Sequence, residues 1–154
     1  MIIRFADAKD VDQLIQMRWD CIREFGFEES KNISSFSDFE QECYSFFEKA
    51  MPSGQWIVWV AEEAGKILSH LYIELIQKVP RPGRPTHPFA YLTRLYTVPE
   101  YRNMGIGSKM LNRINEWIKE NQYEFVIVWP GGQSYTYTQD KNVHLLETIE
   151  TLPS

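Results

Sequence analysis

Thr97-Val98-Pro99-Glu100-Tyr101-Arg102-Asn103-Met104-Gly105-Ile106-Gly107-Ser108 joins an apolar, β-favouring run to a helix through a loop with two glycines. The run before it, Phe89 to Val98, predicts a strand, which Pro99 ends by removing the next ladder donor. Beyond Gly107 the apolar residues Met110, Leu111, Ile114, Trp117 and Ile118 recur at helical spacing, so the glycines open a helix. The first N–H groups of a helix lack partners within it, and the macrodipole places about half a positive charge at that end. A phosphate fits there. Glycine at 105 and 107 permits positive φ and removes Cβ atoms that would hold a pyrophosphate off the backbone, and Arg102 can add a forked donor.

Spacing decides among the phosphate loops that share this logic. The dinucleotide fingerprint G-x-G-x-x-G fails because Met110 stands where a third glycine is needed. The P-loop fails because Lys109 follows Ser108 rather than glycine, and Arg102 sits near where its first glycine belongs. What remains is Arg-x-x-Gly-x-Gly at 102 to 107, behind a strand ending Leu95-Tyr96-Thr97-Val98-Pro99. This resembles the GNAT family of acyl-coenzyme A-dependent N-acyltransferases, closely over residues 89 to 118 and more loosely elsewhere.

Composition sets the outer bounds. A chain of 154 residues, 44% hydrophobic and 24% charged, suits a single domain, residues 1–154, able to bury a core. A net charge of −5 without a Lys/Arg cluster argues against a nucleic-acid partner, so an anionic cofactor must be held locally. Cys21 and Cys43 fit no metal-ligand spacing, no secretory h-region is visible at the N-terminus, and no apolar run reaches the roughly 20 residues of a membrane span. The expected setting is a reducing cytoplasm, with no metal and no membrane partner.

The order of elements reads β-α-α-β-β-β-α-β. Ile2-Ile3-Arg4-Phe5 forms the first strand, and Asp7 or Asp10 caps a helix carrying Val11, Leu14, Ile15, Met17, Trp19, Ile22 and Phe25. After a polar loop, 30–37, a second helix over 38–51 bears Phe39, Cys43, Phe46 and Phe47 on one side, and Pro52-Ser53-Gly54 breaks it. Strands over 55–61 and 66–77 pair antiparallel across Ala64-Gly65. The proline-rich loop Val79 to Pro88 precedes the motif strand, and Phe125 to Trp129 forms the strand after its helix. This order, with a helix and a short strand to follow, is that of the family. The resemblance implies an α/β (α+β) fold with a mixed, mostly antiparallel central sheet flanked by helices. In it the fourth and fifth strands splay, and coenzyme A threads between them. A splay leaves main-chain groups unpaired, which a pantetheine chain can satisfy as a pseudo-strand.

Carried over residue by residue, the resemblance implies that main chain at Leu95, Tyr96 and Thr97 contacts pantetheine and the thioester. It implies further that the N–H groups of Asn103, Met104, Gly105, Ile106, Gly107 and Ser108 take the pyrophosphate of acetyl-coenzyme A, with Arg102 alongside. The reaction implied is direct attack of an amine on the thioester, which needs orientation, an oxyanion donor and two proton transfers. For the acid, the family's asparagine-then-tyrosine pattern is only echoed in Trp129 to Val143: Thr138 falls at the tyrosine position, Tyr135 lies a turn earlier, and Tyr137 is the favoured candidate. For the base, Glu74 leads a field that includes Glu62, Glu63, His70 and His87.

The acceptor is the least legible part. Residues 20 to 40 and 78 to 88 would flank its cleft, where Trp19, Phe25, Phe27 and Phe36 with Glu24, Glu28 and Glu29 could receive a cationic amine. A helical core stripe beside a solvated acidic turn accounts for the same residues. A small amine, amino acid, aminoglycoside or peptide N-terminus all fit. About a dozen residues follow a helix near 133–141, enough for one strand at 144–151, and a second subunit could complete that edge as a homodimer. The rival class is a regulatory module that keeps the coenzyme loop but has lost turnover.

Overall fold

The computed structural model describes residues 1–25, 35–93, 95–123 and 126–128. Strand β1, Ile2–Phe5, leads into a short 3-10 turn, Ala8–Asp10, and then α1, Val11–Phe25. The turn is fixed by reciprocal capping: Lys9 N–H donates to the Asp7 carboxylate and Asp7 N–H to that of Asp10. Arg4 clamps the same corner, 2.8 Å from Asp10 and 2.9 Å from Glu62. Helix α2 spans Phe36–Ala50, starting two residues earlier than its apolar pattern suggests because Ser35 Oγ accepts the Asp38 N–H and so caps it.

Strands β2, Trp56–Glu63, and β3, Lys66–Ile76, form the expected antiparallel hairpin. Ala64 and Gly65, with φ of 51° and 83°, supply the twist of a type I′ turn. The sheet continues through β4, Phe89–Leu92, to β6, Val126–Val128, in the order β1-β2-β3-β4-β6. Every pairing is antiparallel except β4 with β6. Helix α3, Ile106–Glu120, covers one face, where Met110, Leu111, Ile114 and Ile118 pack on Leu71, Ile73 and Leu92. Helices α1 and α2 cover the other, where Leu14, Ile15 and Phe47 meet Val58, Val60 and Ile67. The architecture is therefore the mixed, mostly antiparallel sheet flanked by helices that the sequence implied. Among the described residues no helix is long and apolar enough to cross a membrane.

The motif strand differs from its sequence reading. The run Phe89 to Val98 is broken into β4 and a two-residue strand β5, Tyr96–Thr97. Leu92 pairs with Ile73 and Tyr96 with His70, so three residues, 93–95, stand opposite two, Leu71 and Tyr72. That is a β-bulge. Its effect on faces is direct: Leu92 belongs to the α3 side and Tyr96 to the α1/α2 side, although regular alternation would put residues four apart on one face. Thr93 closes the near end, donating both its N–H (3.0 Å) and its hydroxyl (2.8 Å) to the Tyr72 carbonyl. The β4–β6 ladder covers Ala90 to Leu92, and β5 pairs with β3.

Candidate functional site

The loop after β5 turns through the 3-10 segment Pro99–Tyr101 and reaches α3 by two residues in left-handed backbone, Asn103 (φ 63°) and Gly105 (φ 79°). Gly105 is the N-cap residue of α3 and offers no side-chain capping bond, so the helix's opening N–H groups face outward without an internal acceptor. Met104 projects into solvent, 61% exposed. At Gly107 the constraint is contact rather than torsion. A Cβ there would lie 3.0 Å from Leu95 Cδ2, which sets the start of α3 directly against the bulge.

Arg102 is engaged more fully than its place in the motif suggests. Its Nε donates to the Thr97 carbonyl at 2.9 Å, while Nη2 and Nη1 reach the two oxygens of Glu24 on α1 at 2.9 and 2.7 Å. Its guanidinium also lies 5.4 Å from the Tyr96 ring centroid. The ion pair raises the affinity of Arg102 for its proton. The motif arginine thus ties the end of α1 to the loop that opens α3.

Main chain in β5 presents polar groups on both edges. Val98 N–H donates to the Leu68 carbonyl on β3 at 2.9 Å, and the Tyr96 carbonyl accepts the Ser69 hydroxyl at 2.9 Å. Alternation therefore turns the main-chain groups of Thr97 the other way, away from β3. The Thr97 carbonyl on that edge is taken by Arg102, and its N–H is the other main-chain group there.

On the opposite face a cavity of about 380 Å³ opens between α1, α2 and the sheet. Phe39, Phe46 and Phe47 of α2, Trp56 of β2 and Tyr72 of β3 line it, and Thr93 of the bulge contributes to its wall. Its charged members are one base, Arg18, and one acid, Glu42. Among the described residues neither forms an ion pair. The rings run in an unbroken series: Trp56 to Phe46 at 5.3 Å between centroids, Phe46 to Phe47 at 5.4 Å, and Phe47 to Tyr72 at 6.0 Å. Burial pushes the Cys43 thiol at this wall up to about 11 and raises the Tyr72 hydroxyl as well, with the Arg18 charge pulling both the other way. The bulge is therefore reached from two sides, by Leu95 against Gly107 on one and by Thr93 in the cavity wall on the other.

The proposed bases separate by environment. Glu74 is half-buried on β3, opposite Trp56 and Tyr91, and alternation puts it on the face of Tyr72. Gln55 Nε2 donates to it at 3.4 Å, and its charge adds to burial in raising the Tyr91 hydroxyl. Glu62 is committed to Arg4, which lowers its pKa, and Glu63 sits 3.8 Å from the chain's amino group. His70 lies wholly inside the sheet between Tyr72 and Tyr96, with neither ring nitrogen hydrogen-bonded among the described residues. Burial drops its pKa to about 3, which makes it a poor proton acceptor at neutral pH. His87 is half-exposed in the proline-rich loop. Tyr135 and Tyr137 lie outside the described residues, as do Glu28, Glu29, and the helix and strand expected at the end of the chain. Sequence reading missed Thr93, Arg18 and Trp56 as cavity walls, since nothing local marks a strand residue as facing a void.

Residues 12–145 match the model of the acetyltransferase (GNAT) family. A predicted acetyltransferase with acetyl-CoA from Clostridium acetobutylicum is similar in structure, with a TM-score of 0.71 at 23% identity over 95% of this chain and 91% of that one. A GCN5-related N-acetyltransferase from Ralstonia eutropha JMP134 gives a TM-score of 0.73 at 20% identity, covering 95% and 94% of the two chains. An aminoglycoside antibiotic 6′-N-acetyltransferase from Acinetobacter haemolyticus gives 0.62 at 14% identity over 94% and 91%. No curated protein matches this chain.

Proposed function

This chain belongs to the acetyltransferase (GNAT) family, and from that premise we propose that it moves the acetyl group of acetyl-coenzyme A onto a primary amine by direct attack within a ternary complex. The observation that carries the reading is the bulge between the glycine-opened helix and the aromatic cavity. A donor gripped at α3 and an acceptor seated in the cavity would meet at the bulge between β4 and β5.

In this reading the N–H groups of Asn103 through Ser108 hold the pyrophosphate, and main chain at Leu95, Tyr96 and Thr97 lies along the pantetheine arm. The Thr97 N–H is the donor available to the oxyanion. Glu74 removes a proton from the ammonium, directly or through water, and the free amine attacks the thioester carbonyl. As the C–S bond breaks, the thiolate takes a proton from Tyr137, the attacking nitrogen gives up its second proton, which restores the tyrosine through water, and the amide leaves. Arg102 acts on the loop through Glu24 and Thr97, and supplies charge to the diphosphate when that ion pair opens. The acceptor class is a small-molecule amine or the amine of an amino acid or peptide. The setting proposed is the cytoplasm, and a homodimer would complete the final sheet edge.

The deciding experiment supplies acetyl-coenzyme A with a panel of amines and follows free thiol. Amine-dependent release supports the enzyme. Tight coenzyme binding with no amine-dependent release under any condition would make the protein a regulatory acyl-coenzyme A-binding module instead.

A further inference from the structure

We propose that the acceptor is an arylalkylamine, a primary amine carried on a single aromatic body, rather than a polycation such as a polyamine or an aminoglycoside. This rests on the acetyltransferase reading and deepens it.

Three observations support the assignment. First, rings make up half of the lining residues, and Phe46 contacts both Phe47 and Trp56 edge-on, the geometry that also suits a further ring. Second, Phe46 at its rim is 36% exposed although it touches both Trp56 and Phe47, so apolar surface is held open at the mouth instead of being folded away. Third, the charges cancel. A polycation needs several carboxylates to replace its hydration, but among the described residues Glu42 is the sole acid lining the cavity and Arg18 offsets it. A volume of about 380 Å³ lies at the low end of small-ligand pockets, roughly 300–1,000 Å³, and suits one ring system with a short amine arm. Thr93, in the same wall, brings that arm to the bulge where the thioester is expected.

The test pairs calorimetry with turnover on the full chain. With coenzyme A present, phenylethylamine and tryptamine are expected to bind and, with acetyl-coenzyme A, to release thiol with kcat/KM at least tenfold above spermidine and kanamycin. Phe46→Ala, a change at an exposed rim, should raise KM for phenylethylamine about three- to tenfold while leaving the affinity for acetyl-coenzyme A unaltered. Spermidine or kanamycin turning over faster than the aryl amines would overturn this assignment and leave the acetyltransferase standing. Aryl amines that bind, weaken with Phe46→Ala, and yet never release thiol would uphold the cavity's ligand class and remove the enzyme. Absence of aryl-amine binding, with coenzyme bound, sinks the proposal outright.

Discussion

Leu95 Cδ2 stands 3.0 Å from the point where a Cβ on Gly107 would project, so the bulged strand and the first turn of α3 are in contact. Gly105, two residues earlier, has open space around it but a φ of 79°. The two glycines are therefore constrained differently, Gly107 by a side-chain contact that can yield and Gly105 by torsion.

Substitution should separate these roles. Gly105→Val forces a β-branched residue into left-handed backbone and should cost about 1–2 kcal/mol of stability, while weakening acetyl-coenzyme A binding more than tenfold. Gly107→Ala meets only the end of a flexible leucine and should unfold at nearly the wild-type denaturant concentration. Denaturation curves and calorimetric titration check both, and a folded Gly105→Val with undiminished affinity would mean that the diphosphate binds elsewhere.

Glu24 and Arg102 are 78 positions apart in sequence and joined through both carboxylate oxygens. Both side chains are about one-third exposed, so the pair should contribute less than about 1 kcal/mol to stability. Glu24→Gln should therefore fold normally. If the diphosphate competes with Glu24 for the guanidinium, that variant should bind acetyl-coenzyme A roughly two- to fivefold more tightly at low salt. A weaker complex would show instead that Arg102 acts by anchoring α1.

His70 sets a pH dependence. It titrates at about 3 in the folded protein against 6.5 for an ordinary histidine, so between those values the unfolded chain binds the extra proton. Stability from this residue is complete above pH 6.5 and declines as the pH falls toward 3, by up to about 1.4 kcal/mol per pH unit. His70→Leu should flatten that acid limb and, because neither ring nitrogen has a hydrogen-bond partner among the described residues, should cost little at pH 7. An unchanged acid limb in urea titrations would assign the dependence to other groups.

Proton transfer makes separate demands on two residues. Glu74→Gln should lower kcat by about 10²-fold or more, with coenzyme affinity intact. Tyr137→Phe should act on the alkaline limb. A Tyr137→Phe enzyme whose profile matches wild type would leave the thiolate to be protonated by water.

The helix start and the hairpin turn were legible because local chemistry makes them: glycines, a proline and an apolar stripe at helical period over Met110 to Ile118. The bulge was not. Phe89 to Val98 carries no glycine or proline before its end, and the offset exists only relative to β3. The α2 aromatics show the same limit. Their spacing announces a buried stripe, and Phe47 is buried, but Phe46 one step round the helix stays at a rim that only the packing of Trp56 defines. Trp19 and Phe36, considered for an acceptor cleft, instead pack edge-on between α1 and α2, 5.3 Å apart.

Removing a single position from 93–95 would leave Leu92 opposite Ile73, Tyr96 opposite His70, and every flanking side chain on its present face. Nothing in the hydrophobic pattern forbids the shorter chain, whose sheet would simply heal. The extra length forgoes ladder hydrogen bonds worth about 0.5–1.5 kcal/mol each. A one-residue deletion here should therefore yield a sturdier but inert scaffold, with a higher urea midpoint and no amine-dependent thiol release.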